Sequence, residues 1–209
     1  MRLSAILLAA GESRRMGAIN KLTLPVAGEP LLLRTARTLL RAGLQEVVVV
    51  LGHQRHLVEP LLRDLPLHVV CNDDYLEGQM TSVHRGLAAM RQACDAVLVC
   101  LADLPLLEVA DLRRLADAFV DCPTSVLVPT YRGARGNPIV LAYAHREQIL
   151  AGDRTLGCRR LVEKHPELVT ALEWDSDHVV FDLDTPEAYQ RLQRRLGDPG
   201  AATPVSNFA

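Results

Sequence analysis

The feature that most constrains the fold is a regular alternation of short apolar runs with amphipathic segments. The apolar runs are continuous, as expected of strands buried on both faces of a sheet, whereas the segments between them have the spacing of helices. This alternation predicts an α/β fold of three layers, in which helices cover both faces of a mostly parallel, doubly wound sheet. The predicted strands are residues 4–10, 46–51, 67–71, 96–101 and 125–129, and the predicted helices are residues 31–42, 58–65, 81–92 and 109–120.

The alternation of apolar and amphipathic segments becomes less regular in the C-terminal third of the chain. Residues 138–141 are predicted to add an antiparallel strand, residues 159–164 a helix, and residues 178–182 a late strand at the edge of the sheet. The last predicted helix covers residues 186–196 and begins with a proline, which suits the first helical position. Thr185 directly before it is the expected N-cap, because threonine hydroxyls accept bonds from the first free amides of a helix.

The composition fits one ordinary globular domain. The chain has 209 residues, 49% of them hydrophobic, and a net charge of -2. We assign residues 1–196 to a single domain and expect residues 197–209 to form a frayed tail. The near-neutral charge argues against a nucleic-acid partner, and the first apolar run is too short for a membrane helix or a signal peptide. Five scattered cysteines without metal-ligand spacing favour reduced thiols, and hence the cytoplasm.

The strongest chemical signal is the sequence LAAGESRRMG at residues 8–17, which follows the first predicted strand. Ligands bind at the carboxyl ends of strands in open α/β sheets, so this stretch lies where a ligand is expected. Gly11 lets backbone N–H groups converge on an anion. Arg14, Arg15 and Lys21 add charge that suits phosphate oxygens. The stretch is neither a G-x-x-x-x-G-K-[ST] nor a G-x-G-x-x-G motif, and a plain strand-to-helix turn with a solvated basic face is the alternative.

Two acidic stretches are candidates for a metal site. Asp103 lies in LADLP, directly after the fourth predicted strand. Mg²⁺ favours sites with few carboxylates, which it completes with water and substrate phosphates. Asp182 and Asp184, in FDLDTP, share one face if that segment is extended, so that one of them can reach the same cation. The alternative is that these aspartates only form turns or cap a helix.

These motifs resemble, in their order along the chain, those of NTP transferases with the nucleotide-diphospho-sugar transferase, or glycosyltransferase-A-like, fold. The resemblance is carried by LAAGESRRMG with NKL, by LADLP and by DLDTP, and it spans about residues 4–190. It is strongest to the molybdenum cofactor cytidylyltransferases. Residues 77–83, EGQMTSV, resemble the stretch of that family beside the nucleotide, and residues 132–138, RGARGNP, resemble its acceptor-side stretch.

The resemblance implies a Mg²⁺-dependent nucleotidyltransferase that moves CMP from CTP, or a nucleotide from another NTP, to a molybdopterin-type phosphate and releases pyrophosphate. It assigns catalysis to Lys21, Arg15 and Asp103, with Lys21 stabilising charge on the α-phosphate. Asp103 and Asp184 would hold Mg²⁺. The implied nucleotide-binding residues are Leu8, Ala9, Ala10, Gly11, Ser13, Arg14, Gly78 and Ser82, and the implied acceptor-binding residues are Arg135, Gly136, Asn137 and Pro138.

The resemblance also bears on the base and on the partners. Members of this family that use GTP typically have LAGG where this chain has LAAG, so the methyl group of Ala10 favours CTP. A molybdoenzyme or its maturation chaperone is an implied recipient of the product. Three alternatives stay open: a sugar- or polyol-phosphate acceptor, a nucleotide-binding chaperone without turnover, and a dehydrogenase, which the missing G-x-G-x-x-G disfavours.

Overall fold

The computed structural model describes residues 1–122, 124–152 and 164–197. Eight strands form a central sheet, and two short strands form a separate hairpin. The strands are β1 (Leu3–Ala9), β2 (Pro25–Val26), β3 (Glu29–Pro30), β4 (Val47–Leu51), β5 (His68–Cys71), β6 (Ala96–Leu101), β7 (Val126–Tyr131), β8 (Ala134–Arg135), β9 (Ile139–Ala142) and β10 (Val169–Glu173). The helices are α1 (Leu31–Arg41), α2 (Arg55–Val58), α3 (Gln79–Ala89), α4 (Val109–Val120), α5 (Arg146–Leu150) and α6 (Pro186–Leu196).

The centre of the sheet is parallel. β1 pairs with β4 and β6, β4 pairs with β5, and β7 pairs with β10, all in parallel. β9 runs antiparallel between β6 and β7, as predicted for residues 138–141. The strand order β10-β7-β9-β6-β1-β4-β5 confirms the mostly parallel, α/β sheet. Because the chain continues from β1 to β4 on one side and later returns to β6 on the other, β1 and β6 flank the switch point at which such sheets bind ligands.

The two faces of β1 belong to two separate hydrophobic cores. Leu7 packs in one core with Leu39 of α1 and Leu112 of α4. Ile6 points to the opposite face and packs with Val83 of α3. All seven residues of β1 are buried, which explains the continuous apolar run and confirms the three-layer arrangement.

Most helices lie close to their predicted positions. The helix predicted at residues 58–65 is instead the single turn α2 followed by a 3₁₀ turn over Glu59–Leu62. Pro60 lacks the amide that would continue α2, which accounts for this break. The helix predicted at residues 159–164 lies outside the described residues, apart from Lys164. Among the helices that the structure describes, none combines the length and apolar character needed to cross a bilayer.

The edge strand predicted at residues 178–182 is wrong. The amides of Val180 and Phe181 both donate to the carbonyl oxygen of Asp177, at 3.0 and 2.9 Å. The segment therefore closes into a tight turn and cannot offer these groups to a neighbouring strand. The strand at this edge of the sheet is β10, which pairs with β7.

The final helix, α6, is confirmed together with its cap. The hydroxyl of Thr185 accepts a hydrogen bond from the amide of Ala188 at 3.2 Å, and Pro186 is the first helical residue. This cap fixes the chain directly after Asp184, so the start of α6 also determines where that carboxylate lies.

Candidate active site

The loop that follows β1 is held in an open turn by its own side chains. Ser13 adopts a positive φ of 54°, and its hydroxyl accepts a hydrogen bond from the amide of Lys21 at 3.2 Å. Met16 is fully buried and anchors the middle of the loop. The loop thus leaves the carboxyl end of β1, turns, and returns at Lys21, as its small and basic residues predict.

Lys21 lies between two carboxylates from distant parts of the chain. Its Nζ atom is 2.5 Å from Oδ2 of Asp103 and 2.5 Å from Oδ1 of Asp184. Arg15 donates to the other carboxylate oxygen of Asp184. The side chain of Asn20 accepts from the amide of Leu22 at 3.1 Å and so fixes the turn that presents Lys21. Three stretches that are far apart in the sequence therefore meet at one charged cluster.

The charges of this cluster stabilise one another. Burial lowers the pKa of Lys21, but the carboxylates of Asp103 and Asp184 outweigh it, and the pKa is raised. Burial raises the pKa of Asp184, but Lys21 and Arg15 outweigh it, and the pKa is lowered. Asp182 has no such cation: burial and the neighbouring carboxylates of Asp184 and Asp103 raise its pKa. Lys21 and Asp184 are therefore charged, and Asp182 is the carboxyl group that takes up a proton more readily than usual.

Main-chain bonds join the two acidic stretches to each other and join residue 137 to the turn that precedes the second acidic stretch. The amide of Leu183 donates to the carbonyl of Asp103 at 2.9 Å, and the amide of Asn137 donates to the carbonyl of Val179 at 2.8 Å. The antiparallel pairings of β9 with β6 and of β8 with β7 place residues 135–138 near the carboxyl ends of these two strands. The sequence-predicted acceptor residues thus reach the same rim of the sheet as Asp103.

Two neighbouring clefts open at this rim, with volumes of about 280 and 450 Å³. Lys21, Gly11 and Tyr75 line both. The smaller cleft is also lined by Leu8, Ala9, Ala10, Leu22, Gln79, Ser82, Leu101, Ala102 and Asp103. The larger cleft is also lined by Glu12, Ser13, Arg14, Arg15, Leu76, Gly78 and Asp184. Every residue that the sequence assigned to the nucleotide, to catalysis or to the metal therefore lines one of these clefts, whereas residues 135–138 lie beside them.

The structure adds residues that sequence reasoning missed. Asn72 is only 1% exposed, and its amide donates to the hydroxyls of Thr81 and Ser82 at 2.8 and 2.9 Å. It thereby orients Ser82, which lines the smaller cleft. Tyr75 lines both clefts, and its ring meets that of His53 edge-on at 5.9 Å. The available signal for Asn72 was its position directly after β5, at the ligand-binding end of a strand.

The carboxylates suit a divalent cation that shares its ligands with a substrate. Oδ1 of Asp103 is buried and has no hydrogen-bond partner among the described residues. Within the described part of the chain, no three His, Cys, Asp or Glu side chains form a metal cluster, which excludes a closed cage from these residues. Two carboxylates with one unpartnered oxygen fit Mg²⁺ or Mn²⁺, which keep water and phosphate ligands.

Comparison with known proteins places the chain in one family. A family model of the MobA-like NTP transferase domain matches residues 5–169. Purine catabolism protein PucB of Bacillus subtilis (strain 168) is 33% identical over 207 residues, which cover 93% of this chain and 97% of PucB. Nicotine blue oxidoreductase of Paenarthrobacter nicotinovorans is 30% identical over 200 residues, which cover 91% of this chain and 96% of that protein.

Solved structures share the fold. The crystal structure of Rv0371c from Mycobacterium tuberculosis H37Rv has a TM-score of 0.80 at 26% identity and covers 92% of this chain and 97% of its own. A complex of Rv0371c with manganese has a TM-score of 0.77 at 24% identity, over 93% of this chain and 99% of its own. The residues matched by the family model include the loop after β1 and the end of β6, which contribute Lys21 and Asp103 to the charged cluster. The chain therefore belongs to the MobA-like NTP transferase family and is a nucleotidyltransferase.

Proposed function

We propose that this nucleotidyltransferase transfers CMP from CTP to the phosphate of a molybdopterin-type acceptor and releases pyrophosphate. The observation that carries the proposal is the position of Lys21, which lines both clefts and contacts the carboxylates of Asp103 and Asp184. A buried cation beside two carboxylates, at the end of a small-residue loop, provides the charges that a triphosphate and a divalent metal require.

The loop after β1 would bind the triphosphate. Gly11 lines both clefts, and Arg14 and Arg15 line the larger one. Backbone N–H groups and guanidinium groups both bind phosphate oxygens well. Lys21 would hold the α-phosphate, because it lies where the two clefts meet.

Asp103 and Asp184 would hold Mg²⁺. The buried and unpartnered Oδ1 of Asp103 supports this assignment. When bound, such a metal neutralises and orients the phosphates.

For the transfer itself, the protein has to position the two phosphates and stabilise the charge that develops on them. An oxygen of the acceptor phosphate forms a bond to the α-phosphorus while the bond from that phosphorus to the bridging oxygen of the β-phosphate breaks. Pyrophosphate leaves with the bonding electrons. Because the acceptor phosphate is already ionised, no side chain has to remove a proton. Lys21 stabilises the charge that develops on the α-phosphate, and Arg15 acts on the leaving phosphates.

The smaller cleft would receive the base. Ala10 lines it, and its β-carbon is packed so closely against Gly52 that a side chain on Gly52 would lie 2.7 Å from it. The methyl group of Ala10 therefore cannot move towards Gly52, and it reduces the space in the cleft that a purine would need. Ser82, oriented by Asn72, supplies a hydroxyl for the base or ribose.

The stretch at residues 135–138 would form the acceptor side. Gly136 and Asn137 are held by main-chain bonds to Pro129 and Val179, both at 2.8 Å, so their position is fixed. Arg135, which pairs with Thr130 near the end of β7, adds a positive charge on this side, and that charge suits a phosphorylated acceptor. A molybdoenzyme or its maturation chaperone would take up the product.

The domain organisation and the cellular compartment are part of the same proposal. Residues 1–196 act as one domain in the cytoplasm. The described cysteines support the reducing compartment, since Cys71, Cys94, Cys100 and Cys122 are all free thiols.

A pyrophosphate-release assay tests the proposal. Each of the four NTPs is combined with Mg²⁺ and with molybdopterin, a sugar 1-phosphate or a polyol phosphate as the acceptor. We expect release with CTP and molybdopterin, and much less with the other pairs. Release only with a sugar or polyol phosphate would mean that such a phosphate is the acceptor instead of molybdopterin. Nucleotide binding without pyrophosphate release across all acceptors would indicate a chaperone.

A parallel assay follows the oxidation of a reduced nicotinamide dinucleotide, because one relative is named an oxidoreductase. We expect no oxidation. Oxidation in the absence of pyrophosphate release would overturn the transfer reaction.

A further inference from the structure

Cationic side chains of the chain itself occupy the carboxylate pair that would bind the metal. Lys21 contacts one oxygen of Asp103 and one of Asp184, and Arg15 contacts the second oxygen of Asp184. Of the four carboxylate oxygens, only Oδ1 of Asp103 has no hydrogen-bond partner among the described residues. Lys21 and Arg15 therefore already neutralise the two carboxylates.

This arrangement opposes the entry of a metal ion on its own. A divalent cation at Asp103 and Asp184 would lie next to the Lys21 ammonium, and Lys21 is only 9% exposed. Like charges repel most strongly where water is excluded, so the two cations cannot share these oxygens without a further source of negative charge. A triphosphate supplies that charge, and the larger cleft brings it to Lys21.

We propose that Lys21 is an internal counter-ion that excludes divalent metal from the Asp103–Asp184 pair until a polyphosphate draws its ammonium group away. Metal and triphosphate then enter together, and the free protein has little affinity for the metal. This inference rests on the proposed nucleotide substrate, but it concerns charge alone. Inorganic tripolyphosphate, which has no base, is therefore sufficient to release the carboxylates.

The backbone of Lys21 is suited to such an exchange. Its amide is fixed by the hydroxyl of Ser13 at 3.2 Å, so the side chain can swing while the main chain stays in place. The four-carbon stem of lysine permits this movement, whereas a planar guanidinium would be held by both carboxylates in fixed geometry. Arg15 is a weaker barrier, because its side chain is 68% exposed and forms its ion pair with Asp184 alone among the described residues.

The sequence offers a direct measurement, because the chain has only two lysines, Lys21 and Lys164. Lys164 is exposed and serves as an internal reference. In the full-length protein labelled with ¹³C at the lysine ε-carbons, we expect Mg²⁺ alone to leave the Lys21 signal unchanged. Tripolyphosphate with Mg²⁺ should shift that signal and leave the Lys164 signal in place. A shift of the Lys21 signal with Mg²⁺ alone would overturn the proposal.

Metal binding by variants provides the second measurement. We expect Lys21→Met to bind Mn²⁺ without nucleotide at least about tenfold more tightly than the wild type, and Lys164→Met to behave like the wild type. If Lys21→Met does not fold, Lys21→Gln replaces it, and if neither variant folds, the wild-type lysine signals decide alone. Equal affinity of the wild type and the folded Lys21 variant for Mn²⁺ would contradict the proposal. Neither readout uses pyrophosphate release, so the counter-ion role and the proposed reaction can fail separately.

Discussion

His178 donates a hydrogen bond from Nδ1 to the buried carboxylate of Asp111, over 3.0 Å. The same carboxylate accepts from Nε1 of Trp174, also at 3.0 Å. The two donors belong to different segments of the chain. His178 lies in the turn that leads to Asp184, and Val179 next to it holds Asn137 through its carbonyl oxygen. Trp174 directly follows β10 and is further from the cluster in sequence.

We therefore expect His178→Ala to disturb Asp184, a carboxylate proposed to hold the metal, and Trp174→Phe to leave it in place. Each substitution removes one hydrogen bond to Asp111 and should lower stability by about 1–3 kcal/mol. The Mg²⁺ concentration for half-maximal pyrophosphate release should rise severalfold, roughly three- to tenfold, only in His178→Ala. Melting temperatures and Mg²⁺ titrations of both variants measure this difference. An equal rise in Trp174→Phe would show that the effect is a general loss of stability.

The charged cluster should be essential for turnover. We expect Lys21→Ala and Asp103→Asn each to lower kcat by at least about two orders of magnitude, because each removes a charge placed at the reacting phosphates. Lys164→Ala, which changes an exposed lysine, should retain full activity. Steady-state pyrophosphate release and circular dichroism of the three variants are compared. Near-normal turnover of either cluster variant with its fold intact would remove that residue from the mechanism.

Much of this cluster could be predicted from the sequence because parallel strands end at a common rim. The loop after β1 and the LADLP stretch after β6 both follow apolar runs, and those runs are strands in the structure. Convergence of Lys21 with Asp103 then follows from the topology, since β1 and β6 are neighbours.

Other features depend on contacts that local patterns do not encode. Residues 178–182 are apolar enough for a strand, but the carbonyl of Asp177 closes them into a turn, and the edge position is taken by β10. The role of Asn72 could not be predicted from local patterns, because its partners Thr81 and Ser82 lie 9 and 10 residues later in the sequence, at the start of α3. The contacts of Lys21 with both Asp103 and Asp184 were also not predicted, because the family resemblance assigns Lys21 only to the α-phosphate.

Base selectivity should depend on a single methyl group. Ala10 lines the smaller cleft, and Ala10→Gly removes the methyl group that packs against Gly52. We expect the ratio of kcat/KM for GTP to that for CTP to rise by about tenfold or more, because one carbon in a tight pocket discriminates by that amount. Competition assays with both nucleotides measure the ratio. An unchanged ratio would place the discrimination elsewhere in the cleft.

Acid should weaken the contribution of Asp184 to stability. Its pKa lies below the ordinary value of 3.8 in the folded protein, since Lys21 and Arg15 outweigh the effect of burial. A carboxylate with a lowered folded-state pKa stabilises the fold above its unfolded pKa, and this contribution is lost as the pH falls through the folded value. The difference in unfolding free energy between the wild type and Asp184→Asn should therefore be constant from about pH 5 to 7 and shrink below about pH 4. Urea titrations at each pH measure it, and a difference that persists unchanged at lower pH would contradict the assignment.

Gly136 is the position at which residues 135–138, the proposed acceptor stretch, pack against the turn over Asp177–Val179. A β-carbon there would lie 2.6 Å from the carbonyl oxygen of Val179, which already binds the amide of Asn137. Because the obstacle is main chain, Gly136→Ala must displace one of the two stretches. We expect a higher KM for the acceptor and a nearly unchanged KM for CTP, because Gly136 does not line either of the two clefts proposed to bind the nucleotide.

Gly43→Ala is the matched control for this substitution. Gly43 has a φ of 78° and open space around its α-carbon at the end of α1, so alanine there strains the backbone by about 1 kcal/mol or more without touching the clefts. Both variants should melt at lower temperature than the wild type, but only Gly136→Ala should change the acceptor KM. A parallel change in KM for CTP would mean that Gly136 supports the nucleotide cleft instead of the acceptor side.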